Sequence, residues 1–367
     1  MLTVGNVAVL FPNFVKILGG IMSFELLQTL CKTPGIPGRE HDFRDYVTSI
    51  LAPQSDEPLK TDPMGNLFAV KIGKGTAPRS IMLAAHMDEI GFIVRYINKE
   101  GFLYVQPLGG FDPRVLIAHR VTVHTRTGPM NGVFGFKPTH FTTPEERNKV
   151  VPLSDLFIDI GLSEDKVKEL VRIGDPVTMQ SDLMEMGNLY TGKTLDDRVG
   201  VYVMLEAFRR FKQSEDHIHA VATVQEEIGV RGARTASFGL QPDIGIALDI
   251  TIAADIPGVE ERDHCVKLGK GVGIKVMDSL SVSHYGLYQF FCELAERFEI
   301  PHQYEVLPSG GTDAGAMQVS RDGIPVITLS IPCRYTHTVA EAVHKDDIEA
   351  TIRLLIAFLE HSHEFQF

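Results

Sequence analysis

Apolar positions along this chain change their period several times, and each change marks an element. Over residues 23–32 and 41–51 they recur at helical spacing, with Phe43, Tyr46, Val47 and Ile50 on one face of the second stretch. Pro34-Gly35-Ile36-Pro37-Gly38 separates the two helices. Residues 67–70 and the almost wholly apolar 80–85 predict strands, the second running straight into His86-Met87-Asp88-Glu89. From 90 to about 180 the texture changes. Short runs at 91–97, 102–107, 120–125, 133–136 and 175–179, with turn residues between, predict a small all-β module inserted into an α/β chain. Within it, residues 137–150 are polar with two prolines and predict a long exposed loop, and Ser163-Glu164-Asp165 caps a short helix over 166–171.

Alternation of helix and strand resumes at Thr194. Val199, Val203, Ala207 and Phe211 stack at helical spacing, which sets Asp196 and Asp197 at the start of that helix. Val221-Ala222-Thr223-Val224 predicts a buried strand that delivers Glu226-Glu227 and stops at Gly229. A helix is expected around 235–238, and a strand over 244–248 ends in Asp249. Further helices are expected over 286–298 and from Gly310-Gly311-Thr312-Asp313-Ala314, then a strand over 325–330, His337, and a last helix over 345–359.

Composition narrows the functional classes. A formal net charge of −12 argues against nucleic acid or an anionic membrane surface as partner. Four scattered cysteines with no C-x-x-C pair fit reduced thiols in a cytoplasm. No apolar run approaches the roughly 20 residues that span a bilayer. Residues 1–21 stand apart as an N-terminal extension, apolar but with no basic residue before Lys16. Met22-Ser23 opens like a fresh start, with Ser23 as N-cap, so Met22 is the expected physiological start; an intact mass that includes residues 1–21 would refute this.

Acids at the ends of buried strands carry the chemistry. Burying one carboxylate costs several kcal/mol unless it is paired, and adjacent Glu226 and Glu227 cost more. Three strands end in His86, Glu227 and Asp249, and a helix start supplies Asp196; the carboxyl ends of strands in an open α/β sheet share one crevice. Singly, each has a plainer explanation: a solvated strand end, a helix-capping acid, a hydrogen-bonded core histidine. Together they make a mixed nitrogen and oxygen donor set that suits zinc, cobalt or manganese, and a shared carboxylate would hold two ions about 3.5–4 Å apart.

These stretches resemble the tetrahedral aminopeptidase and glutamyl aminopeptidase family of dinuclear metallopeptidases, some of whose members have been labelled endoglucanases. The likeness is carried by Ala85-His86-Met87-Asp88-Glu89-Ile90-Gly91-Phe92, Leu195-Asp196-Asp197-Arg198-Val199-Gly200, Val224-Gln225-Glu226-Glu227-Ile228-Gly229, Ala247-Leu248-Asp249, Gly310-Gly311-Thr312-Asp313-Ala314 and Tyr335-Thr336-His337-Thr338. It implies a mixed-sheet, three-layer α/β/α catalytic domain over 22–89 and 181–367, with an inserted small all-β domain over 90–180 that makes dimer contacts. It also implies two divalent ions, zinc foremost, with Asp196 shared, His86 and Asp249 on one ion, and Glu227 and His337 on the other. Glu226 is then the general base, and Asp88 accepts a hydrogen bond from the His86 imidazole. Thr312 and Asp313 line the substrate pocket, and His344 is a helix-start surface residue. The implied substrate is a peptide with a free N-terminus, and the implied assembly is a dodecamer built from dimers. The competing readings are a deacylase or carboxypeptidase on a similar fold and, less well supported, a glucanase. Adjacent Glu226 and Glu227 are badly placed to flank a sugar bond, and the chain has no Trp.

Overall fold

The computed structural model describes residues 23–367; the expected start at Met22 and the extension over 1–21 lie outside the described residues. Continuous apolar runs make central strands. Ser80–His86 and Ile244–Ile252 are buried along nearly their whole length, as strands covered on both faces must be. They belong to a mixed sheet of eleven strands among the described residues. Its order is Lys60–Thr61, Leu67–Lys71, His217–Thr223, Ser80–His86, Ile244–Ile252, Val326–Arg334, Glu341–His344, Leu189–Gly192 and Met184–Met186. Val272–Met277 pairs with Val326–Arg334 and carries His302–Val306 outside it. The four central strands, from His217–Thr223 to Val326–Arg334, run parallel, so their C-terminal ends open on one edge.

Alternation along each strand divides side chains between two helical layers. Ile81, Leu83 and Ala85 join the core beneath the helices Phe24–Lys32, Leu195–Arg210, Tyr285–Arg297 and Lys345–His361. Met82 and Ala84 face the other way, under Arg231–Leu240 and Asp313–Gln318. The result is the three-layer α/β/α arrangement. Packing fixes the helices: Lys345–His361 buries Ile348, Ile352, Leu355 and Leu359 along one stripe, each side chain stabilising by about 1.5–3 kcal/mol. Ser23 caps the first helix, its hydroxyl accepting the Leu26 N–H at 3.2 Å.

Shorter alternating strands make the second sheet. Gly91–Ile97, Leu103–Leu108, Phe157–Asp159, Gly128–Gly135, Arg120–Thr125 and Pro176–Met179 close into a six-stranded barrel in that order. Phe92 fills it, stacked on Phe111 at 4.2 Å and edge-on to Phe134 at 5.2 Å. The stretch 137–150 is exposed as expected but not featureless. Thr143 and Glu146 form a reciprocal capping box on the short helix Pro144–Arg147, a Thr-x-x-Glu pattern legible in the sequence.

Two strand ends differ from expectation. His217–Thr223 stops before the acids, so Glu226 and Glu227 lie on the loop beyond it. Ile244–Ile252 continues three residues past Asp249, because Ile250 and Thr251 keep the ladder with Ile331 and Pro332. A buried aspartate inside a strand marks a site where the fold supplies it with partners.

Candidate metal centre

Register brings the first donors together. Thr223 pairs with His86, and Ala247 pairs with Ala84, two residues before both His86 and Asp249. His86 and Asp249 therefore sit level on neighbouring strands and share the face of Met82, Ala84 and Ala247. The other donors arrive on irregular backbone. Asp196 and Asp197 open the helix Leu195–Arg210 with non-helical dihedrals, joined by a cis peptide bond. Thr194, Gln225 and His337 have φ of 65°, 56° and 60°, left-handed conformations that cost about 1–3 kcal/mol each and persist where surroundings over-determine them.

Those surroundings are hydrogen bonds from backbone to carboxylate. Beyond Thr223 the chain turns at Gln225, and Asp88 holds the turn: its Oδ1 accepts the Glu226 N–H at 2.9 Å and its Oδ2 the Glu227 N–H at 3.1 Å. Glu40 Oε1 accepts the Gln225 N–H at 3.2 Å and the Gly38 N–H at 2.8 Å. Asp197 accepts the His86 N–H at 3.1 Å and the Gly200 N–H at 3.1 Å. Glu341 accepts the Asp196 N–H at 3.0 Å and the His337 N–H at 2.9 Å. A carboxylate taking two N–H groups fastens a loop more firmly than any neutral side chain.

At the centre, the Asp196 carboxylate lies between two imidazoles. Oδ1 is 3.1 Å from His86 Nε2, and Oδ2 is 3.2 Å from His337 Nε2, which is also 3.4 Å from Glu227 Oε2. Donor atoms of His86, Asp196 and Glu227 lie within 4.8 Å of one another, as do those of His86, Asp197 and Asp249. Asp197 thus joins the group around Asp249. His86 Nδ1 meets the Asp88 backbone carbonyl at 2.9 Å, whereas the Asp88 carboxylate is 3.6 Å away and occupied with Glu226 and Glu227. The hydrogen bond expected from Asp88 to the imidazole is made by its main chain.

Among the described residues, the carboxylates of this cluster outnumber its two imidazoles. Burial first, then neighbouring carboxylates, raises Glu226, Asp249 and Asp197 well above the usual range and Glu227 to about 8. Burial works against both imidazolium ions. Asp196 and the other acids outweigh it, raising His86 well above its usual value and His337 to about 10. Burial also opposes the Asp196 anion, but His337 and His86 hold its carboxyl below the normal range. Among the described residues the ion-pair partners of Asp196 and Glu227 are histidines, and Glu227 Oε1 is buried without a hydrogen-bond partner. Two imidazoles, several carboxylates and an unpartnered oxygen fit borderline divalent cations.

Thr312 and Asp313 lie deeper than expected, at 2% and 3% exposure. Thr312 caps its helix and meets Thr328 Oγ1 at 2.9 Å; Asp313 Oδ2 accepts from the Thr223 hydroxyl at 2.5 Å. A cavity beside Asp196, Glu227 and His337 is walled by Ile90, Phe111, Val115 and Leu116. His344 caps the last helix through Nδ1 and is half-buried against Gly269, away from the cluster. Sequence reasoning passed over Asp197 and Glu341. Adjacency to Asp196 could have flagged the first; nothing in spacing flags the second.

The family model described as M42 glutamyl aminopeptidase matches residues 65–354. The chain belongs to that family. It is accordingly a metal-dependent aminopeptidase, a hydrolase by class. This M42 member is 38% identical to the lysyl aminopeptidase of Pyrococcus furiosus, over 95% of this chain and 99% of that one. An aminopeptidase structure from Desulfurococcus kamchatkensis superposes with a TM-score of 0.88 at 38% identity, covering 92% and 94% of the two chains. The TET1 peptidase of Pyrococcus horikoshii, described as assembling into a tetrahedron or a large octahedral shell, superposes with 0.82 at 32% identity, covering 92% and 98%. No helix among the described residues is long and apolar enough to cross a membrane.

Proposed function

We propose that this M42 member removes N-terminal residues from peptides at a two-ion centre. Asp196 is shared, with His86 and Asp249 completing one site and Glu227 and His337 the other. The observation that carries the reading is the Asp196 carboxylate, one oxygen on each of two histidines at 3.1 and 3.2 Å. Zinc is the first candidate and cobalt or manganese the alternatives, since nitrogen and oxygen donors suit all three. When bound, such ions supply Lewis acidity to the scissile carbonyl and acidify water. The remaining roles belong to the chain. Glu226, held by Asp88 next to Glu227, takes the proton of the attacking water and returns it to the leaving amine. A free α-amine on the substrate is positively charged and finds a net-acidic crevice.

Self-association is supported by the shells of the Pyrococcus horikoshii relative and by a TET1 structure described as a dodecamer; dimers as the building unit belong to the same proposal. A single-chain mass in light scattering would refute it. A cytoplasmic location suits the four unpaired cysteines.

The central test strips the protein of metal, reloads it with zinc, cobalt or manganese, and assays free and N-acetylated aminoacyl anilides. Turnover of the free anilides alone is expected, and Glu226→Gln should retain metal while losing at least about a hundredfold in kcat. Hydrolysis of the acetylated anilides would move the assignment to a deacylase, and full activity of Glu226→Gln would remove the base.

A further inference from the structure

Glu341 is a buried acid that the reaction does not use. It opens the short strand Glu341–His344, pairs across to Gly192, and is 2% exposed. Burying a carboxylate costs several kcal/mol unless its oxygens are satisfied. Both are, and both by backbone: Oε2 accepts the Asp196 N–H at 3.0 Å and Oε1 the His337 N–H at 2.9 Å. Among the described residues no lysine or arginine forms an ion pair with it. A glutamine of the same size would accept only one of the two bonds and turn an amide N–H toward the other donor.

Neither of the fastened residues has a regular ladder to hold it. Asp196 has φ −77° and ψ 106° inside what is otherwise a helix, and His337 has φ +60°. Their side chains meet at 3.2 Å, Oδ2 to Nε2. The contacts therefore close a ring: carboxylate of Glu341, backbone and side chain of Asp196, ring and backbone of His337, and back to the carboxylate. The spacing of Asp196 and His337 follows from that ring. His86 and Asp249 are held otherwise, by strand register and by the Asp88 carbonyl. The inserted barrel completes the device, because Phe111, Val115 and Leu116 wall the cavity that Glu341 and His337 share, and a Cβ on Gly110 would stand 3.3 Å from His337 Nδ1.

We propose that Glu341 is a positioning residue for the Asp196–Glu227–His337 half of the centre, its one carboxylate setting the spacing of the shared aspartate and the histidine and hence the occupancy of that half. The inference rests on the two-ion reading above.

The test is a zinc titration of metal-stripped protein against a chromophoric chelator, with unfolding midpoints of the metal-free forms measured in parallel. Wild type is expected to bind two ions per chain. Glu341→Gln should bind one ion within about threefold of wild-type affinity and the other about 10- to 100-fold more weakly, as loss of an outer hydrogen-bond partner does. His337→Ala should weaken the same step, which identifies it. Glu341→Asp keeps both acceptors on a shorter arm and should show a smaller loss confined to that step; it decides the matter if the glutamine variant fails to fold. Equal weakening of both steps, or no change in either, in a folded variant would overturn the proposal. Wild type binding fewer than two ions would overturn the two-ion reading itself, and the proposal with it, before any variant is made.

Discussion

Replacing Asp88 by asparagine separates the geometry of the acidic turn from its charge. The carboxylate of Asp88 is fully buried and accepts two backbone N–H groups, from Glu226 at 2.9 Å and Glu227 at 3.1 Å. Asparagine keeps the volume and one acceptor. Its amide nitrogen must face the second N–H, so one bond is lost and the other changes from charged to neutral. A hydrogen bond to a charged group contributes about 1.5–3 kcal/mol, and a donor left unmade in the interior costs about 1–3 kcal/mol. Part of that is recovered as the turn relaxes, but relaxation moves the proposed base and the proposed ligand beside it. If 2–3 kcal/mol of the loss falls on the positions of Glu226 and Glu227, kcat/KM drops about 30- to 150-fold. The assay is kcat/KM on a free aminoacyl anilide with metal in excess, alongside urea unfolding at pH 7. The unfolding midpoint should fall as well, because the same bonds hold the turn in the folded state. Activity of Asp88→Asn within twofold of wild type would show that the turn is held elsewhere and refute the clamp.

Two further substitutions probe the scaffold. Lys275 is fully buried between Glu305, whose Oε1 also receives the Thr251 hydroxyl, and Asp278 Oδ2 at 3.8 Å; Lys275→Met should destabilise by about 3–5 kcal/mol by leaving both acids without their cation. The triple variant Lys275→Met, Glu305→Leu, Asp278→Asn should recover part of that loss in urea midpoints, and equal instability of single and triple would refute the ion-pair account. Burial, with a smaller contribution from His217, drops the His219 pKa to about 4, so the fold holds it neutral while the unfolded chain binds a proton near pH 6.5. Its contribution is present above pH 6.5 and is lost as pH falls toward 4, about 1–2 kcal/mol once its partial exposure is discounted. His219→Val should lose less stability than wild type between pH 7 and pH 5, and parallel losses would contradict this.

Legibility in the sequence followed the range of the interactions. Helices with an apolar stripe were readable to within a residue or two, as at Phe24–Lys32, which Ser23 also caps, and at His41–Leu51, because periodicity and caps are local. His86 was readable too, since an apolar strand that ends in histidine exposes its own anomaly. Asp249 was found for an incomplete reason. A buried acid looked like a strand end, whereas the strand continues to Ile252 and His86 sits level with it on the neighbouring strand. The turn at Gln225 could not be read, because its left-handed backbone is imposed from a distance by Asp88, Glu40 and Asn66. Glu341 was invisible for the same reason, its purpose existing only once the loops bearing Asp196 and His337 have been brought together.

The inserted barrel belongs to this long-range layer of the site. By topology it is a separate sheet with its own core, entered after the catalytic strand that ends at His86 and left before the one that begins at Met184. Yet Gly109, with φ +94°, lies so close to the centre that a Cβ there would be 2.4 Å from Ile90 Cγ2 and 3.2 Å from Glu227 Oε2. Only glycine can take both that conformation and that approach. The barrel's apolar residues wall the cavity that Glu227, His337 and Glu341 also line. Glu226 and Glu227 came into view as two adjacent acids at the end of one strand. The structure holds both backbones in the one turn that Asp88 fastens, and brings the barrel's Gly109 up against Glu227.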